Sequence, residues 1–147
     1  MLRDKVKRMN VVGRTVLAVL GLWHGLVAIQ NFFDVLASTG IDDGLRPLAS
    51  KNFDLIAKMA EPLHLRKGAI AALLTGAATI ETAASVSFAR GAIAGEESNV
   101  GFALSLALFG SFFLIDDALD DYELGAKHRA IFTLVAAGYA AAKAAKT

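Results

Sequence analysis

Four apolar stretches, separated by short polar segments, dominate the order of hydrophobic and polar residues along this chain. They cover residues 15–33, 68–89, 100–115 and 130–142. A helix over the second stretch would measure roughly 33 Å at about 1.5 Å per residue, enough for a hydrocarbon core of about 30 Å. With flanking residues included, the pattern predicts membrane-spanning helices over about 12–36, 67–90, 99–119 and 128–145.

A shorter pattern lies between the first two apolar stretches. Leu48, Leu55, Ile56 and Met59 recur at helical spacing with charged residues among them, and Pro62 ends the pattern. Residues 48–61 therefore predict a short amphipathic helix on the membrane surface. A loop helix packed on the end of the helical bundle is the alternative.

The predicted fold class is all-α: one domain, residues 1–147, forming an integral membrane bundle of four transmembrane helices with the short surface helix between the first two. A soluble bundle would need amphipathic stripes, whereas the second and third stretches are apolar nearly all round. The basic N-terminus and the first stretch are interpreted as a retained helix rather than a signal peptide, because Arg14 and His24 interrupt the apolar run. The basic cluster favours an orientation with the N-terminus inside, and the membrane is expected to be a plasma (inner) membrane.

Composition narrows the chemistry. Of the 147 residues, 55% are hydrophobic and 20% charged, and none is cysteine. The lack of cysteine excludes disulfides, zinc–thiolate sites, iron–sulfur clusters and thiol nucleophiles. The net charge of +1 gives no support for a nucleic-acid partner. Motifs of serine hydrolases, zinc proteases and phosphate-binding loops are absent as well, so we expect no enzyme.

A carboxylate and an imidazole interrupt the apolar stretches. Glu81 lies near the middle of the second stretch and His24 at the middle of the first, so both would lie at similar depth in the bilayer. An ionisable side chain at the bilayer centre costs about 2.5–3.5 kcal/mol even on lenient scales, so it faces the protein interior and finds a partner. We expect a buried His24–Glu81 pair. The other polar partners considered are Asn31, Ser85 and Tyr139.

Three interpretations of this pair remain open. It could be an interhelical hydrogen bond that fixes helix register. It could be the proton or cation relay of a small carrier or channel. His24 could also be the axial ligand of a haem or a chlorophyll-type pigment, with Gly21, Gly25 and Ala28 leaving room for a flat macrocycle.

Five carboxylates fall together after the third stretch. On a continuing helix Asp116, Asp120 and Glu123 would share one face, which could hold a hard cation such as Ca²⁺. A solvated face paired with Lys127 and Arg129 is the more ordinary interpretation. We expect the acidic stretch to be solvent-accessible in either case.

Small residues predict where helices approach closely. Gly21 and Gly25 form a GxxxG motif around His24, and Gly76 lies in an alanine-rich part of the second stretch. The second and fourth predicted helices carry alanine- and glycine-rich faces, and a four-helix bundle cannot bury all of them within itself. The chain is therefore expected to be a non-catalytic accessory or scaffolding subunit whose partners are the lipid bilayer and other membrane subunits or its own copies.

Overall fold

The computed structural model describes residues 9–119 and 121–145. The structure is 86% helical and forms no strand within those residues, which confirms the all-α class. Its helices are α1 (Val11–Thr39), α2 (Asn52–Met59), α3 (Lys67–Ala94), α4 (Asn99–Ala118) and α5 (Tyr122–Ala144), with 3₁₀ turns at Asp43–Leu48 and Glu61–Leu63.

Three of the described helices, α1, α3 and α4, are long and apolar enough to cross a membrane. The prediction of four such helices is wrong, because α5 does not join this group. It has 23 residues. Its apolar part is short and built largely of alanine and glycine, between Arg129 and Lys143. Length alone therefore does not make α5 a membrane span.

The short helix predicted before α3 is present, but it is shorter than predicted. Helix α2 covers Asn52–Met59, with Phe53 buried. Asp54 and Lys58 are exposed, so the helix is amphipathic. Leu48 belongs instead to the preceding 3₁₀ turn. Its placement on a membrane surface stays a prediction.

The chain divides into two compact units. The first contains Met1–Leu22 and Ala83–Thr147, and the second contains Trp23–Thr82. In the first unit, Phe88 of α3 meets Phe102 of α4 edge to face, with ring centroids 4.9 Å apart. In the second unit, the apolar core is made by Phe53, Ile70 and Leu74.

Two glycines end the long helices. Gly40 follows α1 with φ of 80° and Gly95 follows α3 with φ of 70°, a backbone region that other residues rarely adopt. After α1, the Ile41 N–H donates to the Leu36 carbonyl at 3.0 Å, which satisfies a carbonyl at the helix end. These turns fix where the neighbouring segments leave the helices.

The three predicted packing glycines have different surroundings. A Cβ built on Gly21 would lie 3.3 Å from the Ser85 carbonyl oxygen, so the backbones of α1 and α3 are in close contact there. Gly25 is half-buried, and its packing role stays a prediction. Gly76 is exposed, and a Cβ there would meet open space. The described part of the chain leaves the Gly76 Cβ position open, so its packing role stays a prediction.

Candidate functional site

The centre of the site is a hydrogen bond between α1 and α3. Glu81 belongs to the buried stripe of α3 and is only 2% exposed, and Asn31 on α1 is 3% exposed. The Asn31 Nδ2 donates to Glu81 Oε2 at 2.9 Å. The carboxylate is thus held inside the protein by an amide donor from the other long helix of the second unit.

The other end of the Asn31 amide is also occupied. Its Oδ1 accepts from Asn52 Nδ2 at 2.7 Å and from Ser50 Oγ at 2.9 Å. Both donors belong to the segment that follows α1, at the start of α2. Because Asn31 donates at one end and accepts at the other, the orientation of its amide is fixed by its partners.

A second buried carboxylate completes the arrangement. Asp34, one turn after Asn31 on α1, is 5% exposed. Its Oδ2 accepts from the Phe53 backbone N–H at 2.8 Å, and its Oδ1 accepts from Ser38 Oγ at 3.2 Å. Its Oδ2 also lies 2.9 Å from Ser50 Oγ, whose one hydroxyl proton is shared between Asp34 and Asn31. Asp34 therefore fastens the start of α2 onto α1. We call the connected residues the polar cluster: Asn31, Asp34, Ser50, Asn52 and Glu81.

The polar cluster holds neighbouring segments of the second unit together by hydrogen bonds. Buried carboxylates are costly unless hydrogen bonds replace the water they lose. Glu81 accepts from Asn31 on α1, and Asp34 accepts mainly from the segment at the start of α2. The cluster therefore ties α3 to α1 through Asn31, and α1 to the following segment through Ser50, Asn52 and Asp34.

His24 is fully buried, at 0% exposure, and its ring lies 4.8 Å from the Trp23 ring. The predicted His24–Glu81 pair stays a prediction, since the hydrogen bond described for Glu81 comes from Asn31. Haem or pigment ligation by His24 also stays a prediction. The space beside Gly21, which that hypothesis gave to a macrocycle, is filled by Ser85, Phe88 and Ala89 of α3.

The remaining predicted polar partners belong to the first unit. Ser85 Oγ donates to the Gly21 carbonyl at 2.7 Å, so it bonds to the backbone of α1. The Tyr139 ring packs edge to face on Phe102, with centroids 5.0 Å apart. Both residues therefore have structural contacts where they lie.

Comparison with known proteins found no relative. No family model, curated protein or solved structure matches this chain. Any statement about its function therefore has to come from its own residues.

Three members of the polar cluster were missed by the sequence interpretation. Asp34 could have been found, because it falls on the same helical face as Asn31 and follows it by three residues. Ser50 and Asn52 carry no such signal. They reach the cluster only because the segment after α1 folds back onto that helix, where the Ser50 N–H donates to the Gln30 carbonyl at 3.1 Å.

Acidic side chains at the end of α4 pair with side chains at the start of α5. Asp116 is 2% exposed, and its Oδ2 lies 2.5 Å from the Nδ1 of His128. Asp117 pairs with Arg129 at 2.9 Å, and the hydrogen bond that Lys127 donates to Glu123 raises the pKa of Lys127. The expectation that the whole stretch is accessible is wrong for Asp116, because His128 supplies the partner that offsets the cost of its burial.

The predicted cation site is not formed by the described residues. Within residues 9–119 and 121–145, no three His, Asp or Glu side chains are grouped so as to hold a metal ion. Asp116 is directed to His128 and Glu123 to Lys127. Asp120, the third proposed ligand, lies outside the described residues.

The pairs between α4 and α5 give a prediction. Replacing His128 by alanine should lower the free energy of unfolding by about 1–3 kcal/mol, because a buried carboxylate loses its hydrogen-bond partner. The matched control is Arg129→Ala, which breaks a pair whose side chains are 57% and 39% exposed and should cost less than about 1 kcal/mol. Equal losses in reversible unfolding in detergent would contradict the role given to His128.

Proposed function

We propose that this chain is an integral membrane protein that acts as a non-catalytic accessory or scaffolding subunit. Its long apolar helices support the membrane location. On α1, the side chains of Val19, Leu22 and Leu26 are 59%, 71% and 62% exposed. A continuous apolar surface of this kind is costly in water, but lipid would cover it. In this proposal the membrane is a plasma (inner) membrane, and the basic N-terminal residues favour an orientation with the N-terminus inside.

The accessory role is proposed from the exposed face of α3. Leu73 and Ile80 are 55% and 37% exposed there. Between them, Gly76 has open space where a Cβ would be. Lipid gives helices no hydrophobic reason to associate, so they pair where small residues let the backbones approach. A helix from another subunit, or from a second copy, would fit at Gly76.

The polar cluster supports a structural role over a catalytic one. Asp34 accepts from the Phe53 N–H and the Ser38 hydroxyl and shares the Ser50 proton with Asn31, which leaves it well satisfied. Asn31 connects Glu81 to the rest of the cluster, and a carboxamide does not pass protons readily from one of its ends to the other. The cluster is thus suited to holding the second unit in one geometry, as a scaffold requires.

The accessory role can be tested on two glycines of the same helix. Gly76 and Gly68 both have open space where a Cβ would be, so isoleucine at either position should fold normally. Gly76→Ile should abolish the larger complex seen on native gels after mild extraction, whereas Gly68→Ile at the beginning of α3 should preserve it. A wild-type chain that migrates alone would contradict the accessory role, and so would a complex that Gly76→Ile leaves intact.

A small proton- or cation-coupled carrier or channel is the second proposal. The observation in its favour is that two buried carboxylates, Glu81 and Asp34, lie in one polar cluster, which would offer a cation two negative groups along its pathway. His24 on the same helix as Asn31 would complete the pathway. Cation or proton flux into liposomes that disappears with Glu81→Gln would favour this function. A third proposal, haem or pigment binding at His24, predicts visible absorption by the purified protein.

A further inference from the structure

An open groove lies beside the start of α3, in the second unit. Its volume is about 440 Å³, within the range of sites that hold small molecules, about 300–1,000 Å³. Phe53 and Ile70 form an apolar floor, and Glu61, His64 and Lys67 form a charged and polar rim. The groove is thus apolar within and polar at its edge.

The rim presents charges of both signs. Glu61 and Lys67 are exposed, and neither forms an ion pair with another residue in the part of the chain that the structure describes. His64, between them in sequence, has a φ of 50°, an unusual conformation for a residue other than glycine. Its N–H donates to the Glu61 carbonyl at 3.0 Å, which holds this turn of the rim.

The groove's place on α3 indicates the kind of ligand. Lys67 is the first residue of α3, one of the helices able to cross a membrane. In the proposed membrane location, on which this inference rests, the rim lies at the level of the lipid head groups. The apolar floor, with Ile70 one turn further along α3, then lies nearer the acyl chains. An amphiphile from the bilayer would match both parts.

We propose that this groove binds a phospholipid of the phosphatidylethanolamine type. Lys67 binds the phosphate, and Glu61 accepts hydrogen bonds from the primary ammonium group. The floor at Phe53 and Ile70 contacts the first part of an acyl chain. A net anionic head group would leave the Glu61 carboxylate facing negative charge, and a quaternary ammonium has no N–H to donate to it. The opposite charges of the rim therefore select a zwitterionic head group with a free amine.

The test is native mass spectrometry of the full chain released from nanodiscs containing equal parts of phosphatidylethanolamine, phosphatidylcholine and phosphatidylglycerol. The wild type should retain phosphatidylethanolamine at least fivefold over either of the other lipids. Lys67→Gln should reduce retention of all three, and Glu61→Gln should remove only the preference for phosphatidylethanolamine. Lys51→Gln and Asp54→Asn are matched controls, because these exposed charges do not line the groove. They should behave as the wild type does.

The outcomes separate this inference from the proposed function. A wild type without lipid preference, or one that prefers phosphatidylglycerol, overturns the inference, and so does a preference that Glu61→Gln leaves unchanged. Membrane insertion is scored separately by resistance to carbonate extraction, and subunit association by the Gly76→Ile gel. An inserted chain with an intact complex and no lipid preference would refute the groove alone.

Discussion

Replacing Asn31 by leucine is expected to lower the free energy of unfolding by about 2–3 kcal/mol: about 1 kcal/mol for each of the bonds with Glu81 and Asn52, and less for the Ser50 hydroxyl, which still donates to Asp34. The amide donates to Glu81 and accepts from Ser50 and Asn52. Leucine has a similar size, so the loss reports hydrogen bonds rather than a cavity. Reversible unfolding in mixed detergent micelles gives the measurement.

Two further variants make this prediction specific. Glu81→Gln keeps a carbonyl oxygen where the Asn31 amide donates, and should cost less than about 1 kcal/mol. Glu81→Leu combined with Asn31→Leu should cost less than the sum of the two single losses, because neither partner is then left buried alone. Recovery should be incomplete, since Asn52 still lacks its acceptor. Strictly additive losses would show that the Asn31–Glu81 bond is not formed.

The same design tests the pair predicted from sequence. His24→Ala and Glu81→Ala should each reduce stability, and the double variant should recover part of the loss if the two side chains interact. Additive losses here, together with coupling between Asn31 and Glu81, would assign the carboxylate to Asn31 alone.

Replacing Phe88 by alanine should produce a loss of similar size in the first unit. Phe88 is 0% exposed and packs edge to face on Phe102. Removing such a side chain costs about 3–5 kcal/mol in water-soluble proteins, from lost transfer free energy and from the cavity left behind. In lipid the transfer contribution shrinks, because the released surface is not exposed to water. We therefore expect about 2–3 kcal/mol, mostly from the cavity.

The control lies two residues away on the same helix. Val86 is 46% exposed, so Val86→Ala removes a side chain that leaves no cavity and should change stability by less than about 0.5 kcal/mol. Thermal unfolding of both variants in one detergent gives the comparison. If Phe88→Ala were as mild as Val86→Ala, the aromatic packing of α3 on α4 would be refuted.

An accessory role and the buried polar cluster are compatible. A scaffold needs outer faces of fixed geometry. Its interior contacts must keep the helices in place, because the disordered lipid around them does not. Glu81 and Asp34 place strong hydrogen bonds at the join between α1, α2 and α3 of the second unit, where apolar packing alone gives little orientation. Gly76, on the exposed face of α3, remains open to a partner.

The sequence by itself determined the helical class and the positions of the three long apolar helices. This follows from local chemistry, because an unbroken apolar stretch of about 20 residues specifies a membrane-length helix wherever it occurs. The same reasoning failed for α5, where an alanine-rich stretch between charged residues resembles a span by pattern alone. The sequence also identified Glu81 as a side chain that needs an interior partner, because an ionisable group at the bilayer centre is costly in free energy.

Tertiary structure decided that Asn31 is such a partner, because the fold brings its amide within hydrogen-bond distance of Glu81. Asn31 and His24 are seven residues apart on one face of α1, so helical periodicity cannot choose between them. The hydrogen bond to Asn31 depends on the axial offset between α1 and α3. The residue pattern of a single helix does not specify that offset. Ser50 and Asn52 depend on the fold of the segment after α1. His128 reaches Asp116 only because the turn between α4 and α5 brings their ends together, which residue spacing alone does not specify.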